Sequence, residues 1–172
     1  IGFMAFGVTF IIITGGIDLS LGTVMMCAAL LGGYVFKQGW PLILAIALTL
    51  FVGIAFGFVN GVLFAKLKLP PFIATLGTMF VARGIAYMVN GNRNTDAISS
   101  GVGKDAAETF QNVFYYGKTL GIYNTFWIAI IIFAAFFFLL SKTRTGRHIY
   151  AIGSNVDAAK LSGVSVVANT TK

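Results

Sequence analysis

Ahead of Lys37 the chain carries one charge, the carboxylate of Asp18. Residues 1–14 have none, and 24–36 are apolar again. Apolar runs recur along the chain, at 41–65 and 122–140 without charge and at 72–91 with one charge, Arg83. A backbone in hydrocarbon must bond its own N–H and C=O groups, so uncharged runs of this length fold as helices or as strands of a closed barrel. Barrel strands alternate apolar and polar residues, and these blocks do not. The chain is therefore expected to be an all-α integral membrane protein. Composition agrees: 10% of the residues are charged, against about 25% in soluble domains, and mean hydropathy is +0.89.

Asp18 stands in Gly15-Gly16-Ile17-Asp18-Leu19-Ser20-Leu21-Gly22, and it is the only carboxylate before Asp96. A carboxylate at bilayer depth costs about 2.5–3.5 kcal/mol even on lenient insertion scales. The flanking glycines loosen the helix and free backbone groups that protein or a wet cavity has to satisfy. A costly residue in a broken helix points to a pathway or binding site, and Asp18 and Ser20 are its first candidates.

The polytopic bundle expected from the runs has about four spans, 19–36, 41–65, 72–91 and 122–140, preceded by a partial one at 1–14. The chain reads as a single transmembrane domain, an internal fragment of a longer protein. Between spans, Lys37-Gln38-Gly39-Trp40 forms a polar turn with an interface aromatic, and Pro41 opens the next helix where its missing N–H is harmless. The span 41–65 repeats small residues every fourth position, at Ala45, Thr49, Gly53, Gly57, Gly61 and Ala65. Such a stripe lets another helix approach backbone to backbone. It serves packing, or lines a moving or substrate-facing interface; Asn60 beside it is a hydrogen-bonding group for either. Arg83 falls mid-span by count, and either faces a wet or paired interior or snorkels to the interface.

Twelve Lys and Arg against five Asp and Glu make a net charge of +7. The excess sits in short segments between apolar blocks, which is a topology signal and not a nucleic-acid footprint. Lys66 and Lys68 mark one turn; Lys142, Arg144, Arg147, Lys160 and Lys172 mark 141–172. The loop 92–121 is balanced, with Arg93, Lys104 and Lys118 against Asp96, Asp105 and Glu108, and a short helix is expected over 104–114. Segments 66–71 and 141–172 are accordingly expected in the cytoplasm and 92–121 outside, with 15–20 either a cytoplasmic turn or an unwound stretch within the bilayer.

Catalytic patterns are missing. No Gly-x4-Gly-Lys-Ser/Thr phosphate loop occurs, so nucleotide hydrolysis by that route belongs elsewhere. His148 is the one histidine, in a basic segment, and Cys27 is the one cysteine, in an apolar run. Neither suits a metal site or a disulfide. No cofactor is expected.

The segment after the last span is unusual for a connector. Asn155 or Asp157 can cap a short helix whose Ala158-Ala159-Lys160-Leu161 ends at Gly163, a natural residue just past a helix C-terminus. Asp157-Ala158-Ala159-x3-Gly163 resembles the EAA-x3-Gly coupling motif of ABC importer permeases, with Asp in place of Glu. The stretch Gly15 to Gly22 resembles the GGIDLS-G signature of the ribose/xylose/galactose-type monosaccharide permeases. Pro70-Pro71-Phe72-Ile73-Ala74-Thr75-Leu76-Gly77-Thr78-Met79 with Arg83-Gly84, Asn60-Gly61, and Gly146-Arg147 through Gly163 match in the same order. The resemblance spans about residues 1–166. It implies a monosaccharide permease of the bacterial inner membrane that works by alternating access. It also implies a second permease copy, ATP-binding subunits docked on 157–163, and a periplasmic sugar-binding protein. Permeases for nucleosides, a furanose signal or branched-chain amino acids are the nearest alternatives. An ion-coupled secondary transporter using Asp18, or a scaffold without transport, are readings of other classes.

Overall fold

The computed structural model describes residues 2–91, 104–166 and 168. In chain order these form α1 (Gly2–Ile13), α2 (Leu21–Lys37), α3 (Leu42–Ala65), α4 (Pro71–Asn90), α5 (Lys104–Gln111) and a π turn (Asn112–Tyr116). A hairpin of β1 (Lys118–Thr119) and β2 (Ile122–Tyr123) comes next, then α6 (Asn124–Lys142), α7 (Arg144–Ser154) and α8 (Val156–Leu161). Among the described residues three helices, α3, α4 and α6, with 24, 20 and 19 residues, are long and apolar enough to cross a membrane. The fold is all-α and multi-pass. Helix α2 begins at Leu21, two residues later than 19–36 implies. Its 17 residues make about 25 Å of helix against a hydrocarbon core of about 30 Å.

Two compact units divide the chain, one drawn from Ile1–Leu19, Gly57–Gly77 and Ile128–Lys172, the other from Ser20–Phe56 and Thr78–Trp127. The basic turn at 66–70 and the basic helices α7 and α8 fall in the first unit. The turn after α2, α5 and the hairpin fall in the second.

In the second unit α2 packs along α4, with Cys27, Ala82 and Ala86 buried together and Phe56 of α3 against them. Small side chains at this seam bring the helices close without polar loss. The tightest approach to α3 is at Gly32, where a Cβ would collide with the hydroxyl of Thr49 and meet the carbonyl of Ala45 at 2.9 Å. The stripe on α3 thus works at its start. An added Cβ would meet nothing at Gly53 or at Gly57, so among the described residues no helix uses those two positions for close packing. Helix α5 sits on the α2–α3 turn, its Ala107 buried with Phe36, Leu42 and Ala45.

The expected helix 104–114 is α-helical only to Gln111, and the hairpin beyond it was not expected. Strands of two residues leave no alternation to read. The first turn of α6 ties both the π turn and β1: the Asn124 amide donates to the Val113 carbonyl at 2.6 Å and the Trp127 indole to the Thr119 carbonyl at 3.2 Å. Leu120 and Gly121 both take positive φ, 55° and 79°, at the hairpin tip, as a two-residue turn of this kind requires. Arg93 and Asp96 lie outside the described residues.

In the first unit α1 lies against α6 through aromatic rings. Phe6 stands 5.6 Å from Phe133, and Phe10 meets Phe136 edge-on at 5.1 Å. Helix α7 starts at Thr143, whose hydroxyl accepts from the Gly146 N–H at 3.2 Å, and it buries Gly146, Ile149 and Ile152. Gly146 is where α7 folds back on α6, since a Cβ there would strike the Leu140 carbonyl.

Gly32→Val should overpack the α2–α3 contact and cost about 1–3 kcal/mol, read as a lower unfolding temperature of the detergent-solubilised protein. The same change at Gly53, where space is open, should leave that temperature nearly unchanged.

Candidate functional site

Helix α1 ends at a glycine turn. Gly15 takes φ +76°; its N–H bonds the Ile12 carbonyl and the Gly16 N–H bonds the Ile11 carbonyl, both at 2.9 Å. This is a Schellman ending, in which a left-handed glycine turns the chain so that the last helical carbonyls are satisfied. The glycines that loosen the run in sequence are the cap of α1 in space.

The chain then passes through Ile17, Asp18 and Leu19 without helical bonds, and Thr75 in the first turns of α4 holds it. The Thr75 hydroxyl oxygen accepts from the Leu19 N–H at 3.2 Å. Its proton has the Ile17 carbonyl within reach at 3.3 Å and its own helix's Pro71 carbonyl at 2.9 Å. Thr75 is buried, at 5% exposure. Gly16 lies against Pro71, the first residue of α4. Segment 15–19 is therefore a turn clipped to the first turns of α4.

Beside this turn lies a cavity of about 610 Å³ within the first unit, reached by α1, α3, α4, α6 and α7. Its polar lining is Thr14, Asp18, Asn60, Thr75 and Thr145. Phe10, Phe64 and Phe136 supply aromatic walls, while Gly57 and Gly61 leave room on the α3 side. Asp18 is half-buried there. One carboxylate, one amide and three hydroxyls among rings are groups that can hydrogen-bond a solute with several hydroxyl groups. Ligand sites commonly have about 300–1,000 Å³ and a few convergent polar groups in an apolar wall.

Of the residues singled out in sequence, Asp18, Asn60, Gly57 and Gly61 come together at this cavity. Ser20 does not line it: it is 1% exposed at the start of α2, in the other unit, and its carbonyl accepts from Thr23 and Val24 at 2.8 Å. Its position just ahead of the helix draws it into packing. Arg83 does not line it either. It is exposed on α4 in the other unit, its guanidinium 6.0 Å above the ring of Phe80 one turn earlier. Gly53 also lies elsewhere. Thr75 and Thr145 were not anticipated. A threonine in an apolar helix bonds its own backbone by default, so only its neighbours in space disclose a second role.

Asp157, Ala158, Ala159 and Gly163 belong to α8 and its end. Asn155 ends α7 and starts α8: its N–H bonds the Ala151 carbonyl at 3.1 Å, and its side chain accepts from the Asp157 and Ala158 N–H groups, each at 3.0 Å. Gly163 takes φ +80°, and the Gly163 and Val164 N–H groups bond the Lys160 and Ala159 carbonyls at 3.0 Å, a second Schellman ending. Ala159 is buried while Leu161 is 91% exposed. Asp157 and Lys160 pair at 3.1 Å on the surface, a contact worth at most about 1 kcal/mol. The helix presents a short, capped, partly apolar knob.

A family model described as "Branched-chain amino acid transport system / permease component" matches residues 1–168. The chain is 38% identical over 163 residues to the ribose import permease protein RbsC of Haemophilus influenzae, covering 95% of this chain and 49% of that protein. It is 32% identical over 167 residues to the fructose import permease protein FrcC of Rhizobium meliloti, 96% and 46% respectively. To the autoinducer 2 import system permease protein LsrC of Salmonella typhimurium it is 38% identical over 162 residues, 94% and 44%. The chain thus spans just under half the length of these relatives. No solved structure matches it.

Thr75→Val keeps shape but leaves the Leu19 N–H without its acceptor, a loss of about 1–3 kcal/mol at the turn. Amide exchange over 17–20 should speed up in this variant and stay near wild type in Thr75→Ser, as followed by mass spectrometry.

Proposed function

The chain belongs to the permease-component family of branched-chain amino acid type transport systems, and from that premise we propose that it forms part of the membrane subunit of an ATP-driven importer passing a monosaccharide. The single observation that carries this is the cavity at the clipped turn, a site of about 610 Å³ lined by Asp18, Asn60 and Thr75 together with aromatic rings. Sugars are held by hydrogen bonds along their hydroxyl edges and by apolar contact on their faces, and need no charge clamp. The likeness to ribose and fructose import permeases supports the same substrate class.

In this reading the chain binds no nucleotide itself. ATPase subunits dock on the α8 knob with Asp157, Ala158, Ala159 and Gly163 at its core. A second permease copy completes the pathway, and a periplasmic binding protein delivers the sugar. Segments 66–71 and 141–172 face the cytoplasm of a bacterial inner membrane, in keeping with the excess of Lys and Arg there, and 92–121 faces outward. ATP-driven closure of the ATPases then shifts α8 and exchanges access to the cavity between the two sides. A second reading, a small signalling solute in place of a nutrient sugar, draws on the equal likeness to an autoinducer 2 import permease.

The test is reconstitution of the full-length protein with the ATPase and binding protein encoded beside it, and ATP hydrolysis measured across a panel of sugars. Stimulation by one sugar is expected. Gly163→Pro should abolish it, because proline cannot take the φ of +80° that ends α8, with the permease still monodisperse. Asp18→Asn should weaken uptake of that sugar about tenfold, the loss of one charge-assisted hydrogen bond, without ending ATPase association. Uptake that instead tracks an ion gradient, needs no ATPase and disappears in Asp18→Asn would replace the proposal with a secondary transporter.

A further inference from the structure

The contact between α7 and α1 has a feature that neither helix needs for its own stability. A Cβ on Gly153 would collide with the carbonyl oxygen of Ile13 and lie 3.0 Å from its carbonyl carbon. Only glycine lets α7 reach this point. Ile13 is the last residue of α1, directly ahead of the Schellman ending and the turn carrying Asp18. Gly153 in turn sits two residues before Asn155, the residue shared by α7 and α8. Ala159 of α8 is buried at 3% exposure, and Ile149 and Ile152 of α7 are buried too.

We propose that Gly153 is a positioning residue that joins the α7–α8 pair to the Asp18 turn, so that a displacement of α8 is passed to the cavity through the Ile13 backbone. The inference rests on the importer reading above and names the contact by which it would work. Both ends of the path are tied. On one side Asn155 fixes α8 to α7 with two side-chain bonds of 3.0 Å. On the other, the Gly15 and Gly16 N–H groups bond back to α1 at 2.9 Å, and Thr75 accepts from Leu19 at 3.2 Å. Thr145 and Ile149 of α7 also line the cavity that Asp18 lines, so motion of α7 changes that wall directly. Coupling between sites travels through packed elements with two arrangements, and a backbone-to-backbone contact is stiffer than one between flexible side chains.

The experiment compares Gly153→Ala with wild type in the full-length permease, reconstituted with its ATPase and binding protein. The added Cβ pushes α7 off Ile13. The expected result is ATPase association retained, stimulated hydrolysis within about twofold of wild type, and uptake per ATP reduced about tenfold, within the range usual for coupling between sites. Ser154→Ala, on the exposed neighbour, should change neither. Unchanged uptake per ATP in Gly153→Ala overturns the inference. A variant that loses association and hydrolysis together overturns it as well, since Gly153 would then be structural. Amide exchange in the permease alone provides an arm that needs no partner: Gly153→Ala should accelerate exchange at 14–20 about tenfold, and no change there sinks the link. If wild type itself binds no ATPase, the importer reading fails, while this last arm still decides whether the contact restrains the turn.

Discussion

A peptide group in hydrocarbon has nothing to bond except the protein, and the first third of this chain is shaped by that constraint. The run from α1 to α2 has to reverse or break at 14–20, and each exposed amide there must find an acceptor. Two are absorbed by the Schellman ending at Gly15 and Gly16, and a third by the hydroxyl of Thr75. The positive φ of Gly15 makes the first possible, and the start of α4 provides the second. Between these anchored groups Asp18 is half-buried at the cavity.

The same device closes the other end of the first unit. Gly163 ends α8 with the hydrogen-bond pattern that Gly15 uses to end α1. Between these two caps stands Gly153, which has an ordinary helical role in sequence and an unusual one in space. Three glycines therefore do two kinds of job: two supply a left-handed backbone, and the third supplies the absence of a Cβ. The distinction matters for mutation, since proline or a β-branched residue is harmful at the first two for conformational reasons, and at the third even alanine is harmful for steric ones.

Much of the architecture was legible from patterns that depend on short stretches of chain. Uncharged runs, the prolines at 41 and 70–71, the Lys66 and Lys68 turn and the cap signals around Asn155 and Gly163 place the helices within a few residues. The site was half legible. Asp18 stands out because a carboxylate is costly in such surroundings, and Asn60 because an amide stands beside a small-residue stripe. Ser20 and Arg83 stood out for equally good local reasons and do not line the cavity, because polarity in a run says that a residue is expensive and not which way it faces. Helix α7 was missed as a separate element, although Gly146, Ile149 and Ile152 have the three-residue spacing of a buried helical face.

By itself the sequence determined that this chain is helical, that it belongs in a membrane, and that its polarity is concentrated at one break and one terminal helix. These are consequences of hydrophobic transfer and backbone bonding, which act over tens of residues or fewer. The tertiary structure alone decided that the break is a turn clipped by Thr75, that Asn60 and Asp18 share a wall, and that Gly153 meets Ile13. Each joins residues 42 to 140 positions apart, and no local propensity carries the orientation of one helix's side chains toward another's.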